Sequence, residues 1–100
     1  MATVQLRRYQ VAQGRLDEFA AWFRRAALTR EPYGFVVEFA YLDREADQFV
    51  WAVSHPGDSL AFDEAETRWR SDAERATVFA DLPDCLLEHH VAKVEPLQVS

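Results

Sequence analysis

Apolar residues recur along the chain with two different periods, and the order of these periods predicts the order of its elements. In residues 4–10 polar and apolar side chains alternate, which is typical of a β-strand. Over 16–27 the apolar positions recur at steps of three and four, which indicates an amphipathic helix. The segments 35–42 and 48–55 are rich in β-branched and aromatic residues, so each is predicted to be a strand.

Capping residues and prolines mark where the helices begin and end. Pro32 ends the first helix, because the residue before a proline is displaced from helical geometry. Asp58 or Ser59 can cap a second helix, and a capping box predicts that a shorter helical piece starts at Asp72. The last strand is predicted over 89–97, with a proline near its end where a lost hydrogen-bond donor is tolerated.

The resulting order, βαββαβ, predicts an α+β fold of the ferredoxin-like class. In this split βαβ arrangement four antiparallel strands form one sheet in the order 4-1-3-2, and both helices cover the same face. A chain of 100 residues has the size of one domain, so residues 1–100 are predicted to form a single unit.

The predicted sheet has two apolar faces, although helices can cover only one of them. Strand two is apolar on both faces, and Glu38 is its only charged residue. An uncovered apolar face of this size is unusual for a monomer, so we expect a second copy of the chain to cover it. The alternative, in which the C-terminal segment covers this face, requires a longer and less polar segment. The residues assigned to the homodimer interface are Arg7, Val36, Glu38, Ala40, Val50 and Ala52.

The composition narrows the classes of partner. The chain has 17 acidic and 11 basic residues, and its net charge of −6 argues against nucleic acid and anionic membranes as partners. No apolar run approaches the roughly 20 residues of a membrane span, and the first residues do not resemble a secretory leader. Cys85 is the single cysteine, which excludes an internal disulfide. We therefore expect a cytoplasmic protein that needs no metal or other cofactor.

Short motifs spread over nearly the whole chain resemble those of NIPSNAP-type domains. The opening strand carries a Leu-Arg-x-Tyr motif at 6–9, and it is followed by a turn ending in Gly14 and then by a helix. The segments 34–35, 49–51 and 95–97 also resemble that family.

This resemblance implies the dimeric α/β-barrel superfamily, in which two ferredoxin-like subunits close an eight-stranded barrel. Relatives in that superfamily include cofactor-independent monooxygenases, polyketide cyclases, lactone isomerases and haem-handling proteins. The resemblance assigns no catalytic residue to this chain, so it bears on the fold and the dimer more than on a reaction.

His55 is the main candidate for acid–base chemistry. It ends the third strand, and the predicted topology places it near Tyr33 and Phe35. A histidine and a tyrosine at the mouth of an aromatic cavity could bind a phenol or a diketone, with His55 as general base. The alternative is a structural histidine that packs against Pro56. The residues predicted to line the cavity are Phe23, Phe35, Trp51, Phe62, Trp69 and His90.

Other polar residues are interpreted as structural. Arg30 suits the negative end of the first helix dipole, and Glu66 is assigned to a solvated acidic face of the second helix. Arg7 is expected to pair with Glu38 at the dimer interface, although binding of a substrate carboxylate by Arg7 stays open. For His90 the alternatives are a half-solvated strand end, the mouth of a second pocket, and a metal or haem ligand.

Two functions of different classes remain compatible with these residues. The first is binding of a small aromatic or polyketide-like molecule, with cofactor-free cyclase, monooxygenase or isomerase chemistry as an extension. The second is a non-catalytic dimerisation or sensor module with a filled core. An open cavity that meets His55 or His90 would favour the first function, and a core packed to the usual density of about 0.75 would favour the second.

Overall fold

The computed structural model describes residues 1–99, and its elements follow the predicted order with the second helix divided into two pieces. The four strands are β1 (Ala2–Val11), β2 (Val36–Asp43), β3 (Gln48–Pro56) and β4 (Leu86–Val94). The helices are α1 (Leu16–Leu28), α2 (Ser59–Arg70) and α3 (Ala73–Phe79), with a single 3₁₀ turn at Glu31–Tyr33. The strands form one antiparallel sheet in the order β2-β3-β1-β4, which confirms the predicted ferredoxin-like topology.

Local signals in the sequence end the elements close to where they were predicted. Asp58 and Asp72 cap α2 and α3, and the carboxylate of each accepts a hydrogen bond from a backbone N–H three residues later. After α1 the chain passes through the 3₁₀ turn that contains Pro32 and reverses at Gly34, whose φ of 88° is strained for any other residue. No helix within residues 1–99 has the length and apolar composition needed to cross a membrane.

The last strand lies three residues earlier than the sequence predicts. Its pairing with β1 joins Val11 to Leu86 at one end and Val4 to Val94 at the other. The register with β1 therefore fixes where β4 lies, and the segment after Val94 forms no strand within the described residues.

All three helices pack on one face of the sheet and enclose an aromatic core. Phe19 from α1, Phe49 from β3 and Phe62 from α2 are the largest side chains that are fully buried there. The Trp22 indole is also buried, and its N–H donates to the Val78 carbonyl at 2.8 Å, which ties α1 to α3. The helix-covered face of β1 consists of alternate residues from Gln5 to Val11.

A bulge in β2 reverses the face of the sheet to which each side chain of its second half points. The register shifts between Val37 and Phe39, so that Phe39 pairs with Ala52 while Ala40 pairs with Trp51. Paired residues share a face of the sheet, so the bulge turns Phe39 and Tyr41 to the open face. The prediction that Ala40 lies on the open face with Val36 is wrong, because strict alternation does not survive the extra residue.

Arg7 is also on the opposite face from the one predicted. It pairs with Trp51 across the sheet and points toward the helices, away from Glu38. The sequence analysis assigned Arg7 to the open face by its parity along the strand. The helix-covered side accommodates its charge because Gln5, Tyr9 and Glu66 offer Arg7 polar partners there.

Candidate functional site

A cavity of about 180 Å³ lies between the sheet and the helices. Arg7, Tyr9 and Trp51 form its floor on the central strands β1 and β3. Aromatic and aliphatic side chains of α1, α2 and α3 form most of its walls. The walls include Phe23, Arg30, Glu66, Trp69, Arg70, Arg75 and Phe79.

The end of α1 is fastened in a way that sets the position of Arg30. The Thr29 hydroxyl donates to the Ala26 carbonyl at 2.6 Å and accepts the Trp69 indole N–H at 3.0 Å. This pair of hydrogen bonds holds the last turn of α1 against α2. The guanidinium of Arg30, the next residue, lies over the Trp69 ring with its central carbon 3.8 Å from the ring centroid.

Arg30 is a buried cation without a carboxylate partner. Its residue is only 3% exposed, and it forms no salt bridge with any other of residues 1–99. Burial, together with the positive charge of Arg7, lowers the pKa of Arg30 to about 10. The group is still charged at neutral pH, so its lost hydration is compensated mainly by aromatic rings.

Glu66 is the only carboxylate that lines the cavity. It is 7% exposed, and its Oε1 accepts a hydrogen bond from Arg70 at 2.6 Å and lies 3.8 Å from Nη2 of Arg7. Arg7 is oriented further by hydrogen bonds to Gln5 at 2.8 Å and to the Tyr9 hydroxyl at 3.2 Å. The charge of Glu66 is therefore shared between Arg70 and Arg7.

Arg75 adds another positive charge on the side of α3. Its guanidinium carbon lies 4.3 Å from the Trp69 centroid and 4.1 Å from the Phe79 centroid. Burial and the charge of Arg70 lower the pKa of Arg75. With Arg7, Arg30 and Arg70, the cavity is lined by four guanidinium groups and one carboxylate. This positive excess lies inside a chain whose net charge is −6.

Three buried donors around this cavity have no hydrogen-bond partner. They are Nη1 of Arg30, Nε1 of Trp51 and Nε of Arg75. Among residues 1–99 no other buried side-chain nitrogen or oxygen atom lacks a hydrogen-bond partner. All three belong to residues that line the same cavity, and all three are donors. Buried donors are nearly always paired in native proteins, so this clustering marks the cavity as a place where a molecule with acceptor atoms can bind.

Most of the predicted aromatic residues take part in the cavity or its surroundings. Phe23, Trp51 and Trp69 line it. Phe35 and Phe62 lie outside the lining, and their rings pack edge to face at 5.2 Å. They form the core beside the cavity, with Phe35 also 5.0 Å from the guanidinium carbon of Arg30.

His55 and Tyr33 lie together as predicted but do not reach the cavity. Nδ1 of His55 is 2.8 Å from the Pro56 carbonyl, and its Nε2 is 3.0 Å from the Tyr33 carbonyl. The Tyr33 hydroxyl donates to Asp72 at 2.7 Å, and this bond raises the pKa of Tyr33 and lowers that of Asp72. Catalytic roles for His55 and Tyr33 stay predictions, and both side chains are engaged in structural hydrogen bonds.

His90 lies on the open face of the sheet, where it pairs with Arg8. It lines a shallow depression formed by the ends of β1, β3 and β4, which is separate from the cavity. Its neighbour His89 lies on the other face and meets the edge of the Tyr9 ring at 6.5 Å. Within residues 1–99 no group of three histidine, cysteine, aspartate or glutamate side chains is placed to hold a metal ion.

Sequence reasoning missed the buried charges that line this cavity. Arg30 was assigned to the helix dipole and Glu66 to a solvated face. Glu66 is nevertheless four positions from Phe62 and three from Trp69, which are core residues of the same helix. That spacing places a charge on the inner face of a helix, and it was the available signal.

Solved structures with the same fold include NIPSNAP proteins and a candidate antibiotic biosynthesis monooxygenase. An uncharacterized NIPSNAP domain protein from Burkholderia xenovorans superposes with a TM-score of 0.82 and 14% identity, over 97% of this chain and 95% of that one. A NIPSNAP family protein of unknown function from Agrobacterium tumefaciens gives 0.85 and 10%, over 99% and 91%. A candidate antibiotic biosynthesis monooxygenase from Nitrosomonas europaea gives 0.72 and 12%, over 96% and 90%.

These similarities confirm that the resemblance to NIPSNAP domains extends to the whole fold. At identities of 10–14% they show a shared architecture and transfer no residue of the site. No protein-family model and no curated protein sequence matches the chain.

Proposed function

We propose that this domain binds a small aromatic molecule in the cavity between its sheet and its helices. The observation that carries the proposal is the cluster of three unpaired buried donors around a cavity with aromatic walls. Leaving a buried donor unpaired costs about 1–3 kcal/mol, and a core packed only for stability would avoid placing three around one void. A bound molecule would supply the missing acceptor.

The size of the cavity limits its occupant to one ring. An engineered apolar cavity of about 150 Å³ in another protein is known to hold benzene. The cavity of about 180 Å³ therefore accommodates one aromatic ring and a small substituent, and a multi-ring polyketide would need the helices to move. The alternative of a sensor or dimerisation module with a filled core is less well supported, because this core contains a void.

Binding, rather than a defined reaction, is the function that the geometry supports best. The cofactor-free chemistry considered for this chain requires a side chain that removes a proton from the substrate. His55 does not line the cavity, and the Glu66 carboxylate is ion-paired with Arg70 and Arg7. The arginines could stabilise a negative charge that develops on a bound molecule, which keeps such chemistry compatible with the site.

Filling the cavity tests the proposal directly. Ala26 lines the cavity and is buried, so Ala26→Leu should occupy the space of the ligand ring. Binding of phenol, benzamide and benzoate is followed by saturation-transfer NMR. We expect at least one of these probes to bind the parent chain and to lose most of its signal in the variant.

Ala21→Leu is the matched control for this experiment. Ala21 is exposed on the outer side of the same helix, so the same enlargement there should leave binding unchanged. Unfolding temperatures are compared to verify that both variants fold, and Ala27→Leu replaces Ala26→Leu if the latter is unfolded. The proposal fails if none of the probes binds the parent chain, or if both variants bind them equally.

We propose in addition that a second copy of the chain covers the open face of the sheet. Val36, Phe39 and Tyr41 are 55%, 37% and 66% exposed on this face, beside Val50 and Ala52 of the next strand. Glu38 lies at the bulge and accepts a hydrogen bond from Ser54 at 3.2 Å. An exposed apolar sheet face next to an edge strand favours association of two sheets.

Introducing negative charges on the open face should dissociate the proposed dimer. We expect the parent chain to sediment as a dimer at micromolar concentration. The double variant Phe39→Glu/Tyr41→Glu should sediment as a monomer, because burying two carboxylates in the interface opposes association. Leu60→Glu is the control, since Leu60 is equally exposed but lies on α2. A parent chain that sediments alone, or a control that dissociates as well, would contradict the dimer.

A further inference from the structure

The charges around the cavity are distributed unequally, because its single carboxylate lies near two of the arginines and leaves Arg30 without a partner. Glu66 approaches Arg7 and Arg70, whereas Arg30 has no carboxylate partner among the described residues. Arg7 and Arg30 both lie with their guanidinium carbons 5.6 Å from the centroid of the Trp51 ring. Two cations therefore flank the one indole whose N–H is buried and unpaired.

We propose that the cavity binds a single-ring aromatic carboxylate, whose carboxylate oxygens accept hydrogen bonds from Nη1 of Arg30 and Nε1 of Trp51. This inference rests on the proposed function, and it adds the charge of the ligand and the residues that recognise it. Both atoms are donors, both are buried without a partner, and both belong to residues that line the cavity.

An anion counteracts two unfavourable features of the charges in this cavity. It opposes the repulsion between Arg7 and Arg30, and it replaces the hydration that Arg30 loses on burial. A neutral acceptor would satisfy the donors but leave that repulsion in place. A cation would increase it. A carboxylate is planar and presents two oxygens, which suits the planar guanidinium.

The rest of the cavity is suited to the ring of the ligand. Phe23, Trp51 and Trp69 supply aromatic walls, and the remaining volume matches one ring with one small substituent. A bare inorganic anion would satisfy the same donors but would leave these apolar walls without contact. Recognition of the ring and recognition of the charge therefore favour the same class of molecule.

Benzoate and benzamide provide the sharpest test, because they have nearly the same shape and differ in charge. Affinities are measured at pH 7 by calorimetry on the full chain. We expect benzoate to bind at least about tenfold more tightly than benzamide, because charge-assisted hydrogen bonds in a buried site are stronger than neutral ones. Phenol and sodium sulfate are measured as well, to separate a hydroxyl-bearing ring and a bare anion from an aromatic acid.

Two variants assign the effect to the proposed donors. Arg30→Gln should abolish the preference for benzoate over benzamide, while Arg24→Gln, at an exposed arginine of α1, should leave it unchanged. Trp51→Phe keeps an aromatic ring and removes only the N–H, and we expect it to weaken benzoate severalfold with little effect on benzamide. If Arg30→Gln does not fold, Trp51→Phe carries the test.

The possible failures of the two proposals can be told apart. If benzamide or phenol binds as tightly as benzoate, the carboxylate is wrong and the aromatic cavity stands. If sulfate binds as tightly as benzoate, the site takes a bare anion and the aromatic acid is excluded. If no aromatic probe binds, the proposed function itself fails. A preference for benzoate that persists in both Arg30→Gln and Trp51→Phe would place the anion elsewhere.

Discussion

The Phe19→Ala variant is expected to lose about 3–5 kcal/mol of folding free energy, the usual cost of truncating a buried phenylalanine. Phe19 is fully buried, and its ring centroid lies 5.0–5.6 Å from those of Phe49, Tyr9 and Trp22. It thus joins α1 to both central strands of the sheet. Since native proteins are stable by only about 5–15 kcal/mol, the variant should lose a large part of its stability and unfold at a clearly lower temperature.

Chemical denaturation followed by tryptophan fluorescence measures this loss. Leu28→Ala is the control, because Leu28 lies on the same helix and is 62% exposed, so its truncation should change stability by no more than about 0.5 kcal/mol. If Phe19→Ala cost no more than the control, Phe19 would not hold the helix layer on the sheet, and the aromatic core described above would be incorrect.

Replacing Glu66 with alanine should have the second largest effect, a loss of about 2–4 kcal/mol of folding free energy. Removing one member of a buried ion pair typically costs about 3–5 kcal/mol, since the remaining charge stays buried without compensation. The cost is smaller here because the Arg70 side chain is largely exposed and can return to water. The side chains of Arg7 and Arg30 cannot return to water in this way, and without Glu66 no carboxylate would line the cavity beside them.

Glu64→Ala is the matched control for this prediction. Glu64 lies on the same helix but is exposed, so the same change in charge should leave the denaturation midpoint nearly unchanged. A comparable loss in both variants would mean that helix propensity or net charge, rather than the buried cluster, explains the effect. The comparison therefore reports on the charges inside the cavity and not on the acidity of the chain as a whole.

The fold was predictable because each of its elements carries its own signal. The alternation in β1, the three- and four-residue spacing in α1 and the caps at Asp58 and Asp72 act within a few residues of one another. The order of these elements leaves few ways to form one sheet, and the observed strand order is the predicted one. Where a boundary depended on a distant partner, as at the start of β4, the prediction was three residues late.

The faces of the strands were harder to predict than their positions. Strict alternation put Ala40 on the open face, and one extra residue in β2 reversed it. Arg7 was assigned to the open face by its parity along the strand, although Val4 and Leu6 are the residues of β1 that lie there. A single sequence contains no mark of the bulge, since the bulge is defined by the register between two strands.

The candidate site was only partly accessible to sequence reasoning. Phe23, Trp51 and Trp69 were predicted to line a cavity, because large aromatic residues at core positions are visible as a pattern. Arg30 and Arg75 were not, because a charged residue near a helix end has many solvated roles. What distinguishes them is the lack of an acceptor for a buried donor, and this is a property of the surroundings.

The sequence alone determined the order of the strands and helices, the ferredoxin-like topology and the aromatic character of the core, because periodicity, caps and turn residues act over short distances. Only the tertiary structure decided which side chains meet. It brought Arg30, Trp51 and Arg75 to one cavity from three separate segments, and it directed Glu66 of α2 to Arg7 of β1. The physical reason is that the partner of a buried charge is chosen by packing between distant elements, on which local sequence has no influence.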